Sequence, residues 1–590
     1  MAAISNRNIS NPLLLPEIVA SVIDNVHLVP DILNCACVNR MWSVTALKKL
    51  YKGSLNDMQL RTPDIGSLNC LFVASRERFA RNISFVKHLL LSTDVIAFDQ
   101  NGRPTTTCYE KCRALRQRKY AKLLLQPQES GLTSLVIPFE IANQDWSIIS
   151  DLLLTPTIEF LAINRYYCGL VMDSPGYLQE PITPADKFSN LKALTVYNQD
   201  VGPEIYELCQ LLQCCNLQFF HLEESAHSRV GRVTRSDLIE VLLCLRRHQN
   251  LETLALIIPY CSPPLESTSE EEQGNPWPRL KALYLAKLPQ EWLGLLSTFD
   301  DLQILWLQDL GTRFFGTRFP TMNQNVLENI AKCRSLRVID LDFRDLDNVE
   351  ALLDIARGCP LLQKFCVKAM HLSGEHCLGE DLFFDLLRAL PQVEFLALDA
   401  KFEMDDTKLQ DLARHCPRLV VLDLRYTQLH LSLATMIDLD PLWQLESMTF
   451  AQIYFKDPPR LKSDAIQSIA TEWRRIFPRL QYVRCHSDPP YRMEDDWGEE
   501  SETDNGSMSS DDDTSLSDFE ANSDGHQSNQ YALRRKLWKA LGYGKDSDIY
   551  YKIVYMWQTN LEIKTIGWPV VPLAAFFDPD AHSTTAKCGQ

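Results

Sequence analysis

The short motif L-x-x-L-x-L recurs along the chain at near-constant spacing, and it restricts the fold more than anything else in the sequence. It reads "LTSLVI" at Leu132, "IEFLAI" at Ile158, "LKALTV" at Leu191, "LQFFHL" at Leu217, "LETLAL" at Leu251, "LKALYL" at Leu280 and "LQILWL" at Leu302. It continues as "LRVIDL" at Leu336, "LQKFCV" at Leu362, "VEFLAL" at Val393, "LVVLDL" at Leu419, "LESMTF" at Leu445 and "LQYVRC" at Leu480, which makes thirteen copies. "VKHLLL" at Val86 is a candidate earlier copy, and the commonest separation is 26 residues. The motif is too short for an amphipathic helix, and fixed-period self-similarity of this length marks a solenoid.

Helix-length segments with a period near 3.6 lie between the copies, among them "NQNVLENIAKC", "DNVEALLDIARGC", "GEDLFFDLLRAL" and "DDTKLQDLARHC". Each repeat therefore reads as one strand and one helix. Neither buries its apolar side alone, so the repeats must stack into a continuous core with a curved parallel sheet and outer helices. At about 4.8 Å per strand, the sheet would extend roughly 60 Å.

Three residues before the motif stands another buried-type side chain: Phe188, Cys214, Trp277, Phe299, Cys333, Cys359, Leu390, Cys416, Leu442 and Phe477. Several of the eighteen cysteines are thereby explained as small core groups, and the close pairs lack the second matched pair that a zinc finger needs. The spacing, with "GCPLL" and "HCPRL" ahead of the motif, resembles the cysteine-containing class of leucine-rich repeats. That resemblance covers about Val86 to Cys485 and implies an α/β leucine-rich-repeat solenoid at 83–486.

Inward leucines leave the third and fifth motif positions, and the residue just after the motif, for the opposite sheet face. Read out, they give Tyr284, Trp306, Asp340, Asp342, Lys364, Lys368, Asp399, Asp423 and Arg425 as the candidate substrate-binding set, with Tyr197, Gln308 and Arg484 on the same face. Exposed aromatics beside charges make favoured interface anchors.

Ahead of the repeats, "NPLLLPEIVASVIDNVHLVPDILNCACVNRMWSVTALKKLYK" reads as three short helices broken by Pro16 and Pro30. Leu15-Pro16-Glu17-Ile18, Ile23, Asp31-Ile32-Leu33, Cys37-Val38-Asn39-Arg40 and Trp42 resemble the F-box, which places a small helical domain at 10–55. The resemblance implies docking on the adaptor subunit of an SCF-type cullin-RING ubiquitin ligase, and through it on a cullin. It implies that Leu15, Pro16, Ile18, Ile23, Leu33, Val38 and Trp42 form or support the docking face. An F-box followed by leucine-rich repeats is the arrangement of substrate receptors, here resembling the fungal ones. The rival reading is a leucine-rich-repeat scaffold outside any ligase, with the helices as an N-terminal cap.

The net charge of −17 is unevenly placed, since thirteen Asp or Glu and no Lys or Arg lie between Glu494 and Asp524. The remainder carries only about −4, with no basic footprint for nucleic acid. The stretch 487–530 is too polar to fold and is expected to be disordered. Ser501, Ser509, Ser510 and Ser515 each precede an acid by three residues, as acid-directed kinases prefer. Beyond it, 531–578 regains aromatics and is expected to cap the solenoid.

No apolar run suits a membrane span and no signal peptide is legible, so the expected compartment is cytoplasm or nucleus. No phosphate loop, nucleophile elbow, zinc-protease motif or dinucleotide fingerprint occurs. No catalytic residue, cofactor or metal is assigned. His371, His376 and Cys377 come nearest to a metal cluster but lack a second ligand pair and read as a structural loop.

Overall fold

In a computed structural model of the chain, the structure describes residues 15–26, 29–53, 74–90, 131–137, 154–164, 188–198, 205–224, 235–258, 275–286, 293–308, 324–343, 349–369, 378–456, 463–485 and 524–543, with single positions at 68, 71, 553 and 561. The chain divides into two compact units, Met1–Arg318 with Trp557–Gln590, and Phe319–Met556.

The first unit opens with α1 (Pro16–Asp24), α2 (Val29–Ala36) and α3 (Arg40–Lys52). Val19, Ile23, Ile32 and Ala46 form their core, with Val26, Met41, Trp42 and Leu50 packed around it. Pro16 starts α1, where a missing N–H costs nothing. Asn39 caps α3 by accepting from the N–H groups of Met41 and Trp42, which sets the angle of the Trp42 helix turn. Lys49 then ties α3 to the end of α1: its Nζ donates to the carbonyls of Ile23 (2.9 Å), Asp24 (3.0 Å) and Val26 (2.7 Å). A cation on a helix C-terminus meets both the orphan carbonyls and the negative end of the dipole.

After α4 (Arg76–Ile83) the sheet begins: β1 (His88–Leu90), β2 (Ser134–Ile137), β3 (Phe160–Asn164), β4 (Ala193–Asn198), β5 (Phe219–Glu224), β6 (Thr253–Ile257), β7 (Ala282–Leu285) and β8 (Ile304–Gln308). Neighbours in sequence pair in parallel, from His88 opposite Ser134 to Tyr284 opposite Trp306. Helices α5 (Ile205–Gln213), α6 (Arg235–Leu245) and α7 (Leu293–Leu296) connect them.

The second unit repeats the scheme with β9 (Val338–Phe343), β10 (Lys364–Ala369), β11 (Phe395–Leu398), β13 (Val421–Leu431), β14 (Ser447–Phe455) and β15 (Tyr482–Cys485), all parallel. Its helices are α8 (Gln324–Ile330), α9 (Ala351–Gly358), α10 (Glu380–Ala389), α11 (Asp406–His415), α12 (Ser463–Ile476) and α13 (Asp524–Leu541). Every motif copy, including the one at Val86, becomes a strand beginning at its third position. The fifteenth strand, β12 (Glu403–Asp405), lies outside the motif and pairs with the far half of β13.

The residue three before the motif is explained by a turn. The anchor N–H donates to its carbonyl, as in Leu336 to Cys333, Leu362 to Cys359, Leu419 to Cys416 and Leu480 to Phe477. Its side chain ties the repeat to the one before: Cys359 Sγ lies 3.3 Å from Cys333 O, and Trp277 Nε1 donates to Leu245 O at 3.0 Å. His248 occupies the same position before Leu251, a role the buried-type reading passes over. Its Nδ1 accepts from Leu217 N–H at 3.0 Å. Burial pushes the thiols of Cys359 and Cys416 up to about 12, so both are inert core groups at neutral pH.

Helix α13 starts at Asp524, inside the stretch 487–530 that composition marks as unfolded, and Gln530 is buried. The serines 501, 509, 510 and 515 and the trio His371, His376 and Cys377 lie outside the described residues. No described helix is long and apolar enough to cross a membrane.

Lys49→Met is expected to raise amide exchange over residues 20–26, by about 1–2 kcal/mol of local stability, while the strand 421–431 keeps its protection. A second expectation concerns acid. Burial, then Lys52 and Lys87, hold His88 down at about 4, and burial lowers His248. The unfolded chain takes up these protons near 6.5 and the folded chain does not, so stability is full above pH 6.5 and falls as pH drops toward 4. The urea midpoint of the first unit should be lower at pH 5 than at pH 7, and the gap should shrink in His88→Asn.

Candidate functional site

Two surfaces stand out, one on each unit. On the helical domain, Leu15, Leu33 and Val38 are 42%, 46% and 60% exposed, and Pro16 is exposed beside them. Val22 and Val44, which the motif comparison did not single out, join them at 38% and 52%. Five of the eleven large hydrophobic side chains exposed among the described residues thus fall between positions 15 and 44. That is a high share for so short a stretch of chain, and exposed apolar side chains are what a protein contact would use. Ile18 and Trp42 are half-buried. Ile23 is fully buried in the domain core, so it supports the face without reaching a partner. The reason is helical phase, since Val19 and Ile23 lie one turn apart on the inward side of α1.

On the sheet, register aligns the candidate positions into rows. The fifth-position row of the second unit runs Asp340, Cys366, Ala397, Asp423, Thr449, Arg484 across successive strands. The next row brings Asp342 opposite Lys368, with Asp399 and Arg425 following. Cations and carboxylates therefore alternate between strands. Lys364 Nζ sits 2.6 Å from Asp340 Oδ2 and 4.9 Å from the centre of the Phe395 ring. Arg425 reaches Asp423 at 2.8 Å and Asp399 at 3.8 Å. Burial pushes the Asp340 carboxyl up, but Lys364 and Lys368 outweigh it and hold the group below the usual carboxylate range. Cys366, buried beside Asp340, is pushed up to about 12 and is no nucleophile.

The expectation of an open face at the third and fifth positions needs correcting. From β2 onward every third-position side chain is buried, including Phe160, Phe219, Ile304 and Phe395. Tyr284 is only 2% exposed, Lys364 2% and Asp423 3%. The physical reason is packing across adjacent strands: Tyr284 lies against Trp306, Lys364 against Asp340 and the Phe395 ring, and Asp423 against Arg425. Tyr284 and Trp306 are neighbours as predicted, with ring centres 6.2 Å apart, but only Trp306 is partly open. Of the candidate positions, solvent reaches Trp306, Asp340 and Arg484 and the row Asp342, Lys368, Asp399, Arg425.

Sequence reasoning missed the pair His221 and Glu223, at the fifth position and the position after the motif of their repeat. Their Nε2 and Oε2 lie 3.3 Å apart, with His221 buried. The motif phase places both, and only the search for aromatics and charges passed them over. Among the described residues no group of three His, Cys, Asp or Glu is placed to hold a metal.

No protein-family model matches the chain. It is 27% identical over 232 residues to a protein of Bos taurus described as "F-box/LRR-repeat protein 4", a match covering 36% of this chain and 35% of that protein. The chain thus matches about a third of the length of that distant homologue. Among solved structures, a leucine-rich-repeat protein of Leptospira interrogans aligns with a TM-score of 0.33 and 16% identity over 69% of this chain and 98% of its own. The complex "Rad7 and Elc1" in yeast aligns with a TM-score of 0.33 and 13% identity, over 80% and 92%.

Lys364→Met should destabilise the second unit by about 3–5 kcal/mol because it strands a buried carboxylate, whereas Lys364→Met combined with Asp340→Leu should cost less than the single change. Urea unfolding of the three proteins checks this.

Proposed function

We propose that the chain is a noncatalytic substrate receptor of an SCF-type ubiquitin ligase, acting in the cytoplasm or nucleus. The observation that carries the reading is the exposure of the apolar side chains Leu15, Leu33 and Val38 on a helical domain with its own core, ahead of a repeat sheet. A solenoid cap has its apolar side turned onto the first repeat. Here the domain has its own core and a second apolar side left outward, which is what an adaptor-docking module requires. The distant likeness to an F-box/LRR-repeat protein supports the same assignment.

The ligase adaptor docks on Leu15, Pro16, Leu33 and Val38, and a substrate protein is held on the charged row of the repeats. Transfer of ubiquitin is then favoured by the raised effective concentration of substrate near the ligase, with no covalent step on this chain. The row alternates Asp342, Lys368, Asp399, Arg425, and Arg425 is engaged by carboxylates of its own. It therefore suits a partner of mixed charge better than a polyanion. By the same argument the acidic stretch after Glu494 is a poor occupant of that row.

Co-purification with the ligase adaptor tests the reading. Wild type should bind, and Leu15→Ala combined with Pro16→Ala should lose binding by at least tenfold, while Trp443→Ala, an exposed side chain of the second unit, should bind like wild type. A wild type that does not bind would favour the scaffold reading.

A further inference from the structure

Strand β14 is longer than its last neighbour. It runs Ser447–Phe455, but β15 pairs only with Ser447 to Phe450. On the other side β14 stays paired with β13 to its end, Leu431 opposite Phe455. Backbone groups alternate sides along a strand, and Lys456 N–H donates to Leu431 O. Ile453 and Phe455 therefore aim their N–H and C=O groups at the opposite edge, where no described strand pairs with them. An open apolar edge is a template for pairing with another chain.

Two side chains of α13 take up that edge. Gln530 Oε1 accepts from Phe455 N–H at 3.2 Å and Gln530 Nε2 donates to Phe455 O at 3.0 Å. One amide side chain thus satisfies both backbone groups of Phe455, which a neighbouring parallel strand would satisfy with two residues. One turn on, Arg534 Nη1 donates to Ile453 O at 2.9 Å. Gln530 is 1% exposed and Arg534 4%, although both residue types are rarely buried. Burying them is tolerable because edge backbone groups supply partners. Leu533 and Leu537 are fully buried on the same helix, Trp538 packs 5.1 Å from Trp473, and Trp473 Nε1 donates to the Tyr543 hydroxyl at 3.1 Å.

We propose that Gln530 and Arg534 act as a surrogate strand, and that the edge at Ile453–Phe455 is a strand-acceptor site which α13 guards against a second copy of this chain. The second copy fits because the edge is parallel-sheet backbone flanked by the buried side chains Leu429, Leu431, Ile453 and Phe455. The chain's own strands carry the same apolar pattern and are present at the same concentration. The proposal does not depend on the ligase reading.

The test uses the full chain carrying Gln530→Leu and Arg534→Met, which keep apolar bulk and helix propensity while removing the bonds to the edge. Exchange of the Phe455 amide should speed up about tenfold or more, and sedimentation should show concentration-dependent dimers that wild type lacks. Unchanged exchange would overturn the surrogate-strand role, and faster exchange without self-association would overturn the acceptor role. Should the double variant fail to fold, the wild-type Phe455 amide decides: it should exchange as slowly as that of Leu424 in the strand interior, and fast exchange would overturn the proposal.

Discussion

The turn that opens most of the repeat strands, in which the N–H of the first motif residue donates to the carbonyl three residues earlier, is the constraint on which the rest depends; at Leu217 the His248 imidazole takes that N–H instead. The turn fixes where the strand starts, so the fourth and sixth motif side chains cannot slip to the other face, and the first stays buried beneath them. Each inward leucine that this phase buries contributes about 1.5–3 kcal/mol before entropy is counted. The same turn brings Cys359, Trp277 and His248 against the preceding repeat, where a thiol, an indole or an imidazole can serve because each offers a group to backbone. Register across the sheet follows: it sets Asp342 opposite Lys368, and the ion pair of Arg425 with Asp399 at 3.8 Å extends the charged row.

Function is separated from this framework. The helical domain is held by Lys49 across the end of α1 and by a small core of its own. It leaves Leu15, Leu33 and Val38 outside that core and open to solvent. Among the described residues the repeats, conversely, bury most of the third and fifth motif side chains and leave the charged positions Asp342, Lys368, Asp399 and Arg425 partly open.

Much of this was legible in the sequence, because the motif has a strict phase. Every copy became a strand at the predicted position, including the uncertain one at Val86. Strand β12 was not legible: three residues in "FEMDD" carry no periodic signal, and the strand exists only because β13 extends past its motif to Leu431. His248 was missed because histidine does not read as a core residue, although its place before Leu251 was available from the phase. Burial of Tyr284 and Lys364 could not be read either, since whether a sheet face is covered is a tertiary property that a strand's own residues only hint at. The same holds at the C-terminus, where Gln530 and Arg534 carry no hydrophobic signal yet are buried by bonds to a strand 75 and 81 residues away.

The measurement that bears most directly on the receptor account is a hydrogen-exchange footprint of the full chain with and without purified ligase adaptor. The account predicts added protection confined to residues 15–44, with the strands of both units unchanged. Protection on the repeat strands without any over 15–44, or none at all at saturating adaptor, would contradict it.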